Sequence, residues 1–183
     1  MQATYWVIPN LLAGRCGPRQ VPWDLAAFRR AGVRLIVSLA DVGLTPVETG
    51  REGMVLHECW LPMSALATAQ ERLGVLRRVT PVLRAIEESL GRQEGVLTHC
   101  AMGIDRTGLV LACALMMVES VTAEAAIARV HQANSQALQL EGYQRAVVDF
   151  GALWDRAERC IRTPGSAKGL TAWIRPEAGE AGG

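Results

Sequence analysis

The residues best suited to chemistry stand in one run, His99-Cys100-Ala101-Met102-Gly103-Ile104-Asp105-Arg106-Thr107-Gly108. The apolar pair Val96-Leu97 precedes it as the centre of a short strand over 95–99, and a stretch apolar nearly all round, Arg106 to Glu119, follows as a buried helix. A helix N-terminus exposes unpaired N–H groups and the positive end of the peptide dipole, so an anion is favoured there. Folded round that end, Ala101, Met102, Gly103, Ile104, Asp105 and Arg106 turn successive amides inward as a nest for phosphate oxygens. Gly103 suits the tight bend, and Gly108 is expected to let the helix pack close to the sheet. Thiols at such sites fall to roughly pKa 3.5–7.5, which makes Cys100 a candidate nucleophile at neutral pH. Arg106 offers a planar fork for two phosphate oxygens. Thr107 offers a hydroxyl to the sulfur as it leaves a phosphocysteine, and His99 is expected to fix the cysteine by hydrogen bonding within the loop.

Each of these residues has an ordinary use alone. A lone buried cysteine is usually a small hydrophobe, the reading taken for Cys113, and an arginine on a helix is usually a solvated charge. Their joint occurrence at a strand-to-helix turn favours the chemical reading.

The surrounding chain supplies the elements that hold such a loop. Tyr5-Trp6-Val7-Ile8-Pro9 and Leu11-Leu12-Ala13-Gly14 read as two short strands meeting at a Pro-Asn turn. Asp24 caps a short helix that ends at Gly32, and Val33 to Leu39 has the continuous apolar centre of a buried parallel strand. A loop rich in Gly, Thr and Pro follows, then a strand from Met54 to Leu61. Gln70 to Leu90 is helical in period, with Pro81 expected to kink or split it. Helices from Thr122 to about Gln132 and from about Leu140 to Ile161 close the series. Alternating strands and helices imply an α/β fold, a central mostly parallel sheet flanked by helices. The expected organisation is one domain over 1–162 and a flexible Gly-, Ala-, Pro- and Glu-rich tail over 163–183.

Nineteen basic against eighteen acidic residues give a net charge of +1, which argues against a dedicated nucleic-acid or bulk-membrane surface. The longest strongly apolar run, Leu109 to Val118, is too short to cross a bilayer, and the N-terminus lacks the basic and apolar regions of a signal peptide. The five cysteines show no metal-ligand spacing, so the expectation is a reduced, cytoplasmic protein with free thiols, no metal and no cofactor.

The 99–108 run resembles the HCxxGxxR(S/T)G signature of protein tyrosine and dual-specificity phosphatases. Trp6 to Gly14, Ala31 to Leu39 and the helix around Ala146-Val147-Val148-Asp149-Phe150 are similar to a small atypical dual-specificity phosphatase, so the resemblance covers about residues 5 to 155. It implies the cysteine-phosphatase fold and a metal-independent two-step hydrolysis of phosphate monoesters, on phosphorylated protein or a small aryl phosphate. The resemblance also implies an Asp about 30 residues before the cysteine, on a loop after a strand, as general acid. The matching stretch, Trp60 to Glu71, has Met63 where that Asp is expected, after Pro62. Three carboxylates compete for the role: Asp105, as in the DR(T) loops of myotubularin-like phosphoinositide phosphatases; Glu71, in a helix's first turn; and Asp41, after the Val33–Leu39 strand. Asp105 equally suits a loop-stabilising role at the helix N-terminus. An inositol-phosphate phosphatase and a phosphate-binding pseudophosphatase stand as alternatives, the former weakened by the absence of Lys within the loop. Gln144 lies near where the family places a water-positioning Gln, and Cys59 is a candidate disulfide partner for Cys100 under oxidation.

Overall fold

A computed structural model describes residues 4–162 of the chain. The elements run β1 (Thr4–Ile8), β2 (Leu12–Cys16), α1 (Leu25–Arg30), β3 (Val33–Ser38), α2 (Pro46–Arg51), β4 (Val55–Glu58), α3 (Ala69–Gly91), β5 (Gly95–Cys100), α4 (Asp105–Glu119), α5 (Ala123–Ala133) and α6 (Glu141–Arg162). The five strands form one sheet in the order β1-β2-β5-β3-β4, parallel except for the β1–β2 hairpin. The proposed tail, 163–183, lies outside the described residues.

Strand β5 is central and wholly buried, as its apolar sequence and two parallel neighbours require. Alternate residues serve two cores. Leu12, Leu35, Val37 and Val96 face α3 and α4, with α5 and α6 packed beyond. Ala13, Ile36 and Leu97 face the other way into a smaller cluster with Trp23, Leu25 and Phe28, on the side of α1. Helix α4 buries ten residues in its fifteen, in keeping with its apolar circumference.

Two local expectations are corrected. The Gly-, Thr- and Pro-rich stretch is not all loop: Thr45 and Glu48 close a reciprocal capping box and Pro46 opens α2. Pro81 does not split α3, which runs unbroken for 23 residues. Proline forfeits one bond to the carbonyl four residues back, here Arg77, and both residues lie on the exposed face of the helix, where a freed carbonyl costs least.

Candidate active site

Strand β5 delivers Cys100 to the N-terminus of α4, and residues 101–104 wrap round that end. Ile104 is the helix N-cap and supplies no side-chain cap, so α4 begins with its amides open to a ligand. Gly103 has φ +71°, and its amide donates to the Cys100 Sγ at 3.2 Å. The end of β2 supports the loop from below. Gly17 N–H donates to the Ala101 carbonyl at 2.9 Å, and a Cβ on residue 103 would fall 2.5 Å from the Arg15–Cys16 peptide. Tyr5, from β1, donates its hydroxyl to the Gly103 carbonyl at 2.8 Å, and burial raises its pKa, keeping it a donor. The cradle is therefore assembled from three strands and one helix.

Above Cys100 lies a pocket of about 330 Å³, lined by Met63, Ser64, Ala65, Cys100, Met102, Ile104, Asp105, Arg106, Leu140 and Tyr143. Arg106 borders it and donates from Nη1 to the Leu61 carbonyl at 3.1 Å, leaving its other N–H groups for an anion. Asp105 is the only carboxylate among these lining residues, and its Oδ1 accepts the Leu140 N–H at 3.1 Å. That bond ties the segment before α6 to the loop and gives Asp105 a structural task alongside its place in the pocket.

The competing carboxylates stand elsewhere. Glu71 Oε2 accepts from the Thr68 amide and hydroxyl at 2.8 and 2.9 Å, which closes the α3 capping box and holds its pKa below the usual carboxylate range. An exposed, hydrogen-bonded anion of this kind is a poor proton donor. Asp41 is exposed and accepts the Gly43 amide at 3.2 Å. Neither lines the pocket.

The segment 61–68 that carries Met63 is closely held. Leu66 is fully buried with φ +52°, and Arg72 ties the Leu66 and Ala67 carbonyls at 3.5 and 3.3 Å while pairing with Asp149 at 2.6 Å. Gly142, in the first turn of α6, admits the Ala65 carbonyl so closely that a Cβ would fall 1.9 Å from it.

Several expected contacts differ. His99 does not hold the loop through its ring: neither nitrogen completes a hydrogen bond among the described residues, and the ring meets Trp23 edge-on at 4.7 Å. Burial pushes its pKa down to about 4, offset only in part by the Cys100 backbone, so it is neutral at pH 7. Its backbone carbonyl accepts the Leu39 N–H at 2.8 Å. Thr107 Oγ1 is buried without a partner among the described residues, and the sulfur receives the Gly103 amide. Gly108 faces Leu138 rather than the sheet, where a Cβ would fall 2.8 Å from the leucine side chain. Gln144 is spent on the Leu138 carbonyl at 2.7 Å, and the pocket receives the neighbouring Tyr143, whose pKa burial raises. Cys59 turns its thiol to the Arg78 carbonyl at 3.3 Å, while the residue paired with Cys100 across the sheet is Cys16. Tyr5 and Tyr143 are site residues that the sequence pattern does not reveal, since both sit far along the chain from the loop.

The geometry defines a class: a strand-borne thiol under a nest of helix-end amides, with an arginine at its rim, on a mostly parallel sheet. Residues 48–152, more than half of the chain, match the family described as dual specificity phosphatase, catalytic domain, and the chain belongs to that family of cysteine-dependent phosphatases. Among solved structures it is similar to human DUSP28, with 17% identity, a TM-score of 0.70, and 85% of this chain and 97% of that one covered. A mouse putative dual specificity phosphatase, solved with zinc tungstate, is 17% identical with a TM-score of 0.68 over 83% and 88% of the two chains. PTPMT1 in complex with PI(5)P is 14% identical with a TM-score of 0.62 over 82% and 98%. At these identities the likeness speaks for the fold alone. No helix among the described residues is long and apolar enough to cross a membrane.

Proposed function

We infer that the protein hydrolyses phosphate monoesters, of phosphorylated protein or of aryl alcohols, through a phosphocysteine on Cys100. In the first step the Cys100 thiolate attacks phosphorus, the P–O bond to the leaving group breaks, and a proton passes to the departing oxygen. In the second, water attacks the phosphocysteine and returns a proton to the group that gave one up in the first step, the P–S bond breaks, the thiolate is restored and inorganic phosphate leaves. The loop amides and the Arg106 fork hold the oxygens in both steps, and electrostatic stabilisation of this kind is commonly the largest catalytic contribution. Asp105 is assigned the proton, because it alone among the lining residues carries a carboxyl group. The buried Thr107 hydroxyl, in the first turn of α4, is assigned to the leaving sulfur of the second step.

The observation that carries this reading is the Cys100 Sγ at the floor of the pocket, receiving the Gly103 amide at 3.2 Å beside an uncapped helix end. The substrate class rests on the lining residues, where Arg106 is the only cation. One cation suits a single phosphate better than a multiply phosphorylated inositol, although PTPMT1 has been solved with PI(5)P. The test mixes the protein with an aryl phosphate and follows phosphate release and trapped phosphocysteine in wild type and Cys100→Ser. Turnover by the wild type alone supports the assignment; a folded wild type without turnover overturns it. A second reading, a phosphate-binding module, draws on Met63 at the position where the resemblance calls for an acid. That reading requires phosphopeptide binding with no burst of phosphoenzyme.

A further inference from the structure

The mouth of the pocket is apolar in a way that phosphate binding does not need. Met63 is 87% exposed, Leu140 47% and Met102 42%, and all three line the pocket above Cys100. They come from three separate parts of the fold: the 61–68 segment, the turn before α6 and the loop itself. Each is held in place by contacts of its own backbone or its neighbours. Arg72, the buried Leu66 and the close approach at Gly142 fix the first, the Asp105–Leu140 hydrogen bond fixes the second, and the Gly103 contacts fix the third. Apolar side chains kept in water by a rigid backbone retain a large unrealised burial energy. Arg106 is the only cation among the lining residues, so beyond the phosphate cradle the mouth offers no second positive charge to a polyanion.

Resting on the phosphatase reading above, we propose that Met63, Met102 and Leu140 form a specificity collar that selects phosphate monoesters whose phosphate is flanked by apolar surface. Aryl phosphates and phosphopeptides with apolar neighbours share this chemistry. Met63 thereby has a positive role where the family resemblance calls for an aspartate. Methionine fits such a task, because its flexible thioether adapts to differently shaped apolar partners.

The test compares phenyl phosphate with 2-naphthyl phosphate, which adds one fused ring of apolar surface. Burying that ring against the collar is expected to raise kcat/KM by about tenfold. Met63→Gln and Leu140→Gln, which keep the size of the side chain and remove its apolar character, are each expected to cut that ratio to about threefold. Melting temperatures of both variants establish that they are folded. In a second arm, calorimetry with Cys100→Ser measures binding of the same two esters without turnover. If wild type proves inactive yet Cys100→Ser binds the naphthyl ester tighter, the collar stands while the hydrolase assignment falls. Equal binding of the two esters by Cys100→Ser overturns the collar, as does a naphthyl preference that survives both glutamine substitutions. Phosphopeptides flanked by leucine and by aspartate separate the protein source from the aryl one, and an absent leucine preference confines the collar to small esters. Cosedimentation with phosphatidylcholine vesicles that Met63→Gln abolishes, together with no naphthyl preference, would make the patch a membrane contact and refute the proposal.

Discussion

Replacing Gly103 by alanine tests how the cradle is held. The new methyl would stand 2.5 Å from the carbonyl carbon and oxygen of Arg15 and from the Cys16 amide nitrogen. Comfortable carbon contacts begin at roughly 3.5 Å, so about 1 Å of separation must be found between backbones. No flexible side chain tip is available to yield it. The φ of +71° adds a cost of about 1–2 kcal/mol for a residue with a Cβ. Together with partial relief of the clash, a loss of about 2–4 kcal/mol is expected, within the range of overpacked sites. In a domain of this size that lowers Tm by roughly 4–16 °C. Catalysis should suffer more than stability. The displaced residue carries the amide that meets the Cys100 Sγ and the carbonyl that Tyr5 holds, and a misplacement of about 1 Å costs on the order of 10²-fold in rate. The assay is kcat/KM for an aryl phosphate alongside a thermal melt. Gly32→Ala is the control, because φ there is +92° with nothing within 4 Å of the new methyl. It should lose about 1–2 kcal/mol and keep its rate. A Gly103→Ala protein that keeps more than a third of its activity would refute the rigid-support argument.

Gly142→Ala drives a methyl against the Ala65 carbonyl and should displace the pocket wall that carries Met63, raising KM for aryl phosphates severalfold and lowering Tm. Steady-state kinetics that match the wild type would show that the wall is not set by this contact. Asp105→Asn should leave hydrolysis of an aryl phosphate largely intact and slow an alkyl phosphate by about 10²–10⁴-fold, since only the poor leaving group needs the proton. Equal effects on both would remove Asp105 from the acid role. His99 has a folded pKa of about 4 against an ordinary 6.5, so the unfolded chain takes up its proton first on acidification. Its stabilising contribution is therefore complete above pH 6.5 and is lost as pH falls toward 4, by up to about 3 kcal/mol. Urea titrations between pH 7 and 4.5 should show His99→Asn losing less stability than wild type across that window; parallel curves would contradict it.

The nucleophile and the loop were legible because their chemistry is written in ten contiguous residues, so spacing alone fixes the geometry. The strand and helix order followed from period and apolar content, and the capping box of α2 was present in Thr45 and Glu48 but masked by the glycine and proline around it. Pro81 was given too much weight, because whether its lost hydrogen bond breaks a helix depends on how exposed the Arg77 carbonyl is left. Tyr5, Tyr143 and Leu140 were not legible as site residues. Their roles come from the β1–β2 hairpin and from the turn before α6, and no local pattern encodes which face of the fold they meet. Glu71 looked like a candidate acid in sequence, yet three residues earlier stood Thr68, the partner that turned it into a cap.

The sheet order has a consequence for how the protein is made. The strand that bears Cys100 is the last of the five in the chain, yet it fills the gap between β2 and β3. A nascent chain that has emerged only as far as α3 lacks the central strand and cannot join its hairpin to the β3–β4 pair. Completing the sheet requires pairings between residues 12–16 and 96–100 and between 33–38 and 95–99, contacts of long sequence separation that are slow to form. Nucleophile, loop and sheet therefore come into being in one late event, and thiol reactivity at Cys100 would report the closing step of folding.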